Sequence, residues 1–241
     1  MDTLRVCVWA GPRTLSTALM YSFAQREDTR VVDEPLYAHY LRTTGVDHPL
    51  RDEVLATVES DGRKVLDEVV LADCDRRVYF QKQMAHHLVG LDRAFLDQTI
   101  NVLLIRDPEE QIPSLETKLR SPKLSDTALK VQAFPFKELR GRGRAPIVVD
   151  AGELRKNPRA VLGELCAQLG IEFDEHMLHW APGARDEDGP WAKYWYADVH
   201  RSSGFLPYTP RLETFPQRLF ELLERAKPLY QYLRAHAIAV D

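Results

Sequence analysis

Apolar residues recur along the chain in short runs that alternate with segments of helical spacing. Runs with the length and composition of β-strands cover residues 5–9, 29–32, 77–81, 101–105 and 147–149. Between them, apolar residues at helical spacing predict helices within 52–72, 108–119 and 158–169. The run at 101–105 is continuously apolar after Asn101, which is typical of a strand buried on both faces of a parallel sheet.

Strands that alternate with helices predict an α/β fold in three layers, with a central parallel sheet of about five strands flanked by helices. The chain has 241 residues, of which 44% are hydrophobic, so we expect a single domain over residues 1–241. The segment 182–210 is rich in Gly, Pro, Trp and Tyr and is predicted to form an ordered loop or lid. A C-terminal helical segment is predicted at 215–235, where Pro228 must kink or split the helix.

Composition narrows the classes of partner. The formal net charge of −4 does not indicate a nucleic-acid partner. No apolar stretch is long enough to span a bilayer, and the N-terminus does not resemble a signal peptide. Cys7, Cys74 and Cys166 lie far apart, without the spacing of a disulfide framework or a zinc site. We therefore expect a cytoplasmic protein with no membrane span and no metal ion, whose oligomeric state the sequence leaves open.

The first predicted strand leads through a loop of small and polar residues into an amphipathic helix. This loop, here called the anion loop, consists of Gly11, Pro12, Arg13, Thr14, Leu15, Ser16 and Thr17. The order of strand, loop and helix points backbone N–H groups and the positive end of the helix dipole at a bound anion. Arg13 adds a cation, and the hydroxyl side chains add further donors. The loop therefore predicts a phosphate site, although it lacks the Gly-Lys-Ser/Thr of a Walker A motif.

Charged residues also follow the second and third predicted strands. Glu34, held between Asp33 and Pro35, is a candidate general base for an acceptor hydroxyl or amine. The alternative is that Asp33 or Glu34 only caps the next helix. Lys82 is a candidate for neutralising charge on a leaving or bridging oxygen.

Two adjacent histidines, His86 and His87, come shortly after the third predicted strand. Adjacent side chains point in different directions and do not easily share one metal ion. The sequence also lacks the spacing of a metal-ligand set around them. A structural or substrate-contacting role is therefore favoured over metal binding.

The fourth predicted strand is followed by Arg106 and, eight residues later, by Ser114 in the next helix. An arginine and a serine hydroxyl in this arrangement are candidates for holding a second phosphate group. The alternative is a salt bridge from Arg106 to Asp107 or Glu109 that only stabilises the start of the helix.

The anion loop together with the Arg106 and Ser114 motif resembles the sulfotransferase superfamily. The resemblance implies a P-loop-like fold and the co-substrate 3′-phosphoadenosine 5′-phosphosulfate. By the same resemblance, residues 11–17 hold the 5′-phosphosulfate, and Arg106 and Ser114 hold the 3′-phosphate. The stretch 150–171, with Trp180 beyond it, is also similar to the closing helices of the family. Many members have lysine where Arg13 stands, and arginine keeps the charge while adding a forked geometry.

The family uses a histidine base in some branches and a glutamate after the second strand in others. This sequence fits the glutamate branch through Glu34, with a histidine such as His86 as the alternative. The implied reaction is an in-line displacement in which Glu34 takes the acceptor's proton. Arg13, the loop amides and Lys82 would stabilise the departing phosphate.

The expected acceptor is a small molecule or a glycan of unknown identity. The aromatic residues Trp191, Tyr194, Trp195 and Tyr196 form either a substrate wall or the packed underside of a lid. Two other functions remain open at this stage. One is a P-loop phosphotransferase that uses ATP or GTP, and the other is a non-catalytic phosphonucleotide-binding scaffold.

Overall fold

The computed structural model describes residues 3–209 and 214–240. Its strands are β1 (Leu4–Ala10), β2 (Thr29–Asp33), β3 (Val78–Met84), β4 (Ile100–Ile105) and β5 (Ile147–Asp150). They form one five-stranded parallel sheet in the order β2-β3-β1-β4-β5. Each strand overlaps one of the predicted apolar runs, so the predicted α/β fold with a central parallel sheet is confirmed.

The helices occupy most of the chain between the strands. They are α1 (Ser16–Phe23), α2 (Tyr37–Thr44), α3 (Arg51–Thr57), α4 (Gly62–Val65), α5 (Pro108–Glu116), α6 (Leu129–Gly141), α7 (Ala151–Lys156), α8 (Pro158–Leu169), α9 (Ala192–Trp195), α10 (Ala197–His200) and α11 (Phe220–Arg234). Short 3-10 turns cover Ala85–Leu88, Ala94–Gln98, Leu124–Thr127, Glu175–Leu178 and Gln217–Leu219, and a π-helical turn covers Leu66–Val70.

Local signals set several of the helix ends. Helix α8 begins at Pro158, behind the N-cap Asn157, and ends at Gly170, whose φ of 70° suits a left-handed C-cap. The predicted helical segment at 52–72 is interrupted before Gly62, where the Asp61 side chain accepts the N–H groups of the next turn. The C-terminal helix begins at Phe220 rather than 215, because Pro216 has an extended backbone (ψ 123°) and the next three residues, Gln217–Leu219, form a 3-10 turn.

The described chain divides into two compact units. The first comprises residues 3–8, 17–101 and 174–204, and the second comprises residues 9–16, 102–173, 205–209 and 214–240.

In the first unit, β2 and β3 pair in parallel, with Thr29 opposite Val78 and Asp33 opposite Lys82. A hydrophobic cluster in this unit joins α2 and α3 to residues 182–204, here called the aromatic segment, which are part of the predicted loop or lid at 182–210. Its buried members are Tyr37, Ala38, Leu41, Val54, Trp191, Ala192 and Tyr196. The segment predicted to be a loop or lid therefore contributes large side chains to this core.

A second set of contacts holds the same segment against α1. The buried carboxylate of Asp188 accepts hydrogen bonds from the Tyr21 hydroxyl at 2.7 and 2.8 Å. Nε2 of His200 lies 2.9 Å from the same carboxylate, and the Arg185 guanidinium lies over the Tyr21 ring at 4.5 Å. These polar contacts fix the aromatic segment within the first unit.

In the second unit, β4 and β5 pair in parallel, with Val102 opposite Ile147 and Ile105 opposite Asp150. Asp150 caps α7 and also accepts a hydrogen bond from the Tyr230 hydroxyl at 2.9 Å, which ties α11 to the end of β5. Among the described residues, no helix is both long and apolar enough to cross a membrane.

Candidate active site

The anion loop has an unusual backbone. Arg13 and Leu15 have φ values of 63° and 67°, in the left-handed region that residues other than glycine rarely occupy. When residues of a loop alternate between right-handed and left-handed backbone conformations, successive N–H groups point toward one concave side, and this is how anion-binding nests form. Thr14 stabilises the turn, because its buried hydroxyl donates to the Gly11 carbonyl at 2.7 Å. Ser16 is the first residue of α1, so the loop ends at a helix N-terminus.

Close packing explains the glycine in this loop. A Cβ atom at Gly11 would lie 2.6 Å from the carbonyl oxygen of Thr127, which is nearer than real Cβ contacts. Gln111 links the same two segments, because its Nε2 donates to the Pro12 carbonyl at 2.9 Å and to the Thr127 carbonyl at 3.2 Å. The start of the anion loop is thus fixed against α5 and the turn that precedes α6.

Direct hydrogen bonds join the anion loop to the Arg106 and Ser114 motif. Nε of Arg13 donates to Oγ of Ser114 at 3.0 Å, and Nη1 of Arg106 donates to the Arg13 carbonyl at 2.7 Å. The structure therefore brings together three residues that the sequence analysis assigned to two separate phosphate groups.

Arg106 also pairs with a carboxylate. Its Nε and Nη2 donate to Oε2 of Glu110 at 3.2 and 3.1 Å. The partner is not Asp107 or Glu109, the two alternatives considered from sequence. Asp107 caps α5 instead, accepting the Glu109 N–H at 2.8 Å. Arg106 has five guanidinium N–H groups, of which these contacts use three; the other two donate to none of the described residues. Burial lowers the pKa of Arg106, and Glu110 opposes that shift.

A second cluster lies at the carboxyl ends of β2 and β3 in the first unit. We call Asp33, Glu34, Lys82 and Tyr196 the base cluster. The strand register places Asp33 opposite Lys82, and Nζ of Lys82 lies 2.8 Å from Oδ1 of Asp33 and 2.5 Å from Oε1 of Glu34. The third contact of Nζ is with the Tyr196 hydroxyl. An ammonium has three N–H groups, so the protein uses all of those of Lys82.

Asp33 is surrounded by donors. Besides Lys82, it accepts hydrogen bonds from the Tyr196 hydroxyl at 2.8 and 2.9 Å, from Nε1 of Trp191 at 3.0 Å and from the Gly189 N–H at 3.2 Å. Its side chain is 1% exposed. This carboxylate is therefore enclosed and fully hydrogen-bonded.

Glu34 differs from Asp33 both in how many hydrogen bonds its carboxylate accepts and in how far its side chain is enclosed. Its contacts with Lys82 and Tyr196 are made through Oε1, and none of the described residues donates to Oε2. Its side chain is 11% exposed. Burial raises the pKa of Glu34, and the nearby Lys82 ammonium only partly opposes this rise. For Lys82, burial alone would lower the pKa, but the adjacent Asp33 and Glu34 outweigh it and raise the pKa.

The capping alternative for Asp33 and Glu34 is wrong. The N-cap of α2 is Leu36, and no side chain caps that helix. Glu34 instead occupies a left-handed conformation with φ of 41° at the end of β2, and its N–H donates to the Lys82 carbonyl at 2.8 Å. Strained backbone of this kind is concentrated at functional sites.

The two adjacent histidines lie in an aromatic cluster of the first unit. The His87 ring stacks on Tyr37 and Tyr40, with centroids 5.0 and 4.8 Å apart, and His86 packs edge-on against Tyr40. Nδ1 of each histidine is buried and forms no hydrogen bond with the residues that the structure describes. Burial lowers the pKa of His86 to about 4, so its ring is neutral near pH 7 and a weak base. No group of three potential metal ligands occurs among residues 3–209 and 214–240.

The aromatic segment has two kinds of side chain. Trp191 and Tyr196 are buried and carry the polar atoms that bind Asp33, whereas Tyr194 is 40% exposed. The hydrogen bonds of Trp191 and Tyr196 to Asp33 were not foreseen from the sequence, because they join residues about 160 positions apart. The sequence did offer one signal for this cluster, which is that an acidic pair, Asp33 and Glu34, follows one predicted strand and Lys82 follows the next.

Of the site residues predicted from sequence, Thr17, Glu34 and Lys82 belong to the first unit, and residues 11–16, Arg106 and Ser114 belong to the second.

A family profile described as "Sulfotransferase domain" matches residues 4–237 of this chain. The chain belongs to the sulfotransferase family. The region matched by the family profile, residues 4–237, includes parts of both units and all of the predicted site residues.

Two curated relatives of this family member come from Arabidopsis thaliana. They are named branched-chain-amino-acid aminotransferase-like protein 1 and protein 2, and they are 42% and 40% identical to it over 229 residues. The alignment covers 95% of this chain but 41% of each relative. The sulfotransferase-family chain thus spans about two fifths of the length of these relatives.

A solved structure supports the fold. The sulfotransferase domain of the Synechococcus PCC 7002 olefin synthase superposes with a TM-score of 0.53 at 20% identity, covering 93% of this chain and 94% of that domain. At this identity the likeness concerns the fold alone.

Proposed function

We propose that this sulfotransferase-family protein moves a sulfuryl group from 3′-phosphoadenosine 5′-phosphosulfate to a hydroxyl or amine of a small molecule or glycan. The observation that carries the proposal is the Arg13–Ser114 hydrogen bond, which joins the anion loop to the Arg106 motif. One connected group of cations and hydroxyls suits a ligand that carries phosphates at two positions.

The donor is held by the anion loop, Arg106 and Ser114. The loop amides and Arg13 bind the 5′-phosphosulfate, and Ser114 with the two remaining N–H groups of Arg106 binds the 3′-phosphate. These donors are fixed before the ligand arrives, because Arg106, Gln111 and Thr14 all hydrogen-bond to carbonyls of the loop. Donors fixed in advance need no reorganisation as charge develops on the leaving group.

Glu34 is the proposed general base. Its Oε2 takes the proton of the acceptor as the acceptor oxygen or nitrogen bonds to sulfur. The bond from sulfur to the bridging phosphate oxygen breaks, and its electron pair leaves on adenosine 3′,5′-bisphosphate. Two features of Glu34 support this role. Its Oε2 receives no hydrogen bond from the described residues, and its pKa is raised toward the working pH, where a base works best.

The role of Lys82 follows from its contacts. Since all three of its N–H groups bind the base cluster, we propose that it holds Glu34 in place rather than neutralising the leaving oxygen. Arg13 and the loop amides then provide the charge stabilisation at the leaving group.

Ligand binding separates this proposal from its two alternatives. Calorimetry should detect adenosine 3′,5′-bisphosphate binding in the presence of a chelator, and Arg106→Ala should weaken it strongly. A phosphotransferase would instead bind ATP or GTP in a magnesium-dependent manner. A scaffold would bind the bisphosphate but transfer no sulfuryl group to any acceptor in a screen, and Glu34→Gln would leave its properties unchanged.

A further inference from the structure

The base cluster holds two carboxylates and one ammonium, and the two carboxylates are not equivalent. Asp33 is enclosed by four donors, whereas Glu34 has one bonded oxygen and one oxygen that receives no hydrogen bond from the described residues. A proton arriving from outside therefore has one open position in the cluster, which is Oε2 of Glu34.

We infer that Asp33 is a positioning residue, the enclosed counter-ion of Lys82, so that Glu34 is free to gain and lose the transferred proton. This inference rests on the proposed role of Glu34 as the base.

The charge balance of the cluster supports this division of roles. With both carboxylates ionised and Lys82 protonated, the three side chains carry a formal charge of −1, and protonation of Oε2 brings it to zero. Without Asp33, the same step would leave the Lys82 ammonium buried without a counter-ion, which is strongly unfavourable. Asp33 thus removes an electrostatic penalty from each proton transfer.

The aromatic segment holds the counter-ion in place. Nε1 of Trp191 lies 3.0 Å from Oδ2 of Asp33 and 3.1 Å from the Tyr196 hydroxyl, and that hydroxyl donates to Asp33. These contacts satisfy Asp33 without supplying positive charge, so Lys82 stays shared between the two carboxylates.

The other titratable groups around the cluster do not replace Asp33. Within the first unit, the groups facing Glu34 are Asp33 on its own strand, Lys82 on β3, Tyr37 on α2 and Tyr196 between α9 and α10, and His87 faces Lys82. Burial raises the pKa of Tyr37 and Tyr196 and lowers that of His87, so these three side chains are neutral near pH 7.

A titration of the full-length protein tests the inference without relying on activity. The probe is NMR of isotopically labelled glutamate, aspartate and lysine side chains, with Glu34→Gln and Asp33→Asn assigning the carboxyl signals. In the wild type, Glu34 should be the first of the two carboxyls to take up a proton as the pH falls, while Lys82 keeps its ammonium signal. Uptake of that proton by Asp33, or loss of the ammonium signal over the same range, would overturn the inference.

Two variants extend the test. Asp33→Asn should lower the pKa of Glu34 by about one unit or more, because Lys82 then acts on Glu34 alone and the repulsion from Asp33 is lost. Trp191→Phe removes a neutral hydrogen bond from Asp33 and should move that pKa much less. Equal shifts in the two variants would indicate a merely structural role for Asp33. If Asp33→Asn does not fold, separate labelling of aspartate and of glutamate still shows which kind of carboxyl takes up the proton in the wild type, and Glu34→Gln assigns the Glu34 signal.

Activity distinguishes failure of this inference from failure of the proposed function. If the titration matches expectation but Glu34→Gln keeps full transferase activity, the cluster is organised as inferred and Glu34 is not the base. If Glu34→Gln is inactive and Asp33 takes up the proton, the proposed function stands and the role of Asp33 is wrong.

Discussion

Arg106, just after β4, donates two hydrogen bonds to a single carboxylate oxygen, Oε2 of Glu110 in the first turn of α5. The guanidinium that we assign to a phosphate therefore already has a negative partner on the helix that follows it. An anionic ligand at Arg106 must be bound in the presence of that charge.

Replacing Glu110 with Gln should strengthen binding of adenosine 3′,5′-bisphosphate. The change keeps the side-chain shape but removes a negative charge that repels the phosphate, so we expect a gain of about threefold to tenfold that shrinks as salt is added. Calorimetry at low and high ionic strength measures both effects. Glu109→Gln is the matched control, because Glu109 pairs with Lys227 at the surface and should have little influence. Weaker binding in Glu110→Gln would mean that Glu110 positions Arg106 for the ligand.

Ser114→Ala should discriminate between ligands with and without a 3′-phosphate. Loss of a hydrogen bond to a charged group typically costs about 1.5–3 kcal/mol, so affinity for adenosine 3′,5′-bisphosphate should fall at least tenfold. Affinity for adenosine 5′-monophosphate should change little. An equal loss for both ligands would show that Ser114 acts only by holding Arg13, whose Nε donates to its hydroxyl.

Glu34→Gln should reduce kcat by about 10²- to 10⁴-fold while leaving bisphosphate affinity unchanged. In the wild type the base must be ionised, so the rate should fall as the pH drops through the pKa of Glu34. Because burial raises that pKa, the fall should begin at a higher pH than for an ordinary glutamate. A pH–rate profile measured with saturating donor checks this, and a rate that declines only near the ordinary glutamate value would contradict it.

Gly11→Ala should destabilise the fold. The new methyl group would meet the Thr127 carbonyl at 2.6 Å, and crowding of this kind typically costs about 1–3 kcal/mol. Gly163 in α8 is the matched control, since a Cβ there has nothing within 4 Å and lies in a helix interior. Gly163→Ala should therefore raise the free energy of unfolding by about 0.5–1 kcal/mol. Urea denaturation compares both variants with the wild type.

The strands and helix α8 could be predicted because the residues that determine them are close together in the sequence. The apolar run at 101–105 became β4, and Pro158 and Gly170 marked both ends of α8. Helices α2 and α6 were not predicted. Helix α6 contains Pro135 but buries Phe136 and Leu139, so packing outweighs the local cost of the proline.

The site was predictable only in part, for a related reason. The anion loop and the Arg106 motif are continuous stretches of sequence that the family resemblance picks out. The ion pair between Asp33 and Lys82 depends instead on the register of β2 against β3, which is decided by the packed sheet. The partnership of Asp33 with Trp191 likewise exists only once the fold has formed.

The left-handed backbone of Glu34 affects which residues selection for stability and selection for activity would favour at this position. A left-handed φ of 41° is unfavourable for glutamate by about 1–2 kcal/mol, whereas glycine adopts that conformation freely. Variants of position 34 chosen for thermal stability alone should therefore favour glycine or asparagine, and those chosen for turnover should keep the carboxylate. At this position the protein forgoes stability to keep one acidic side chain at the end of β2.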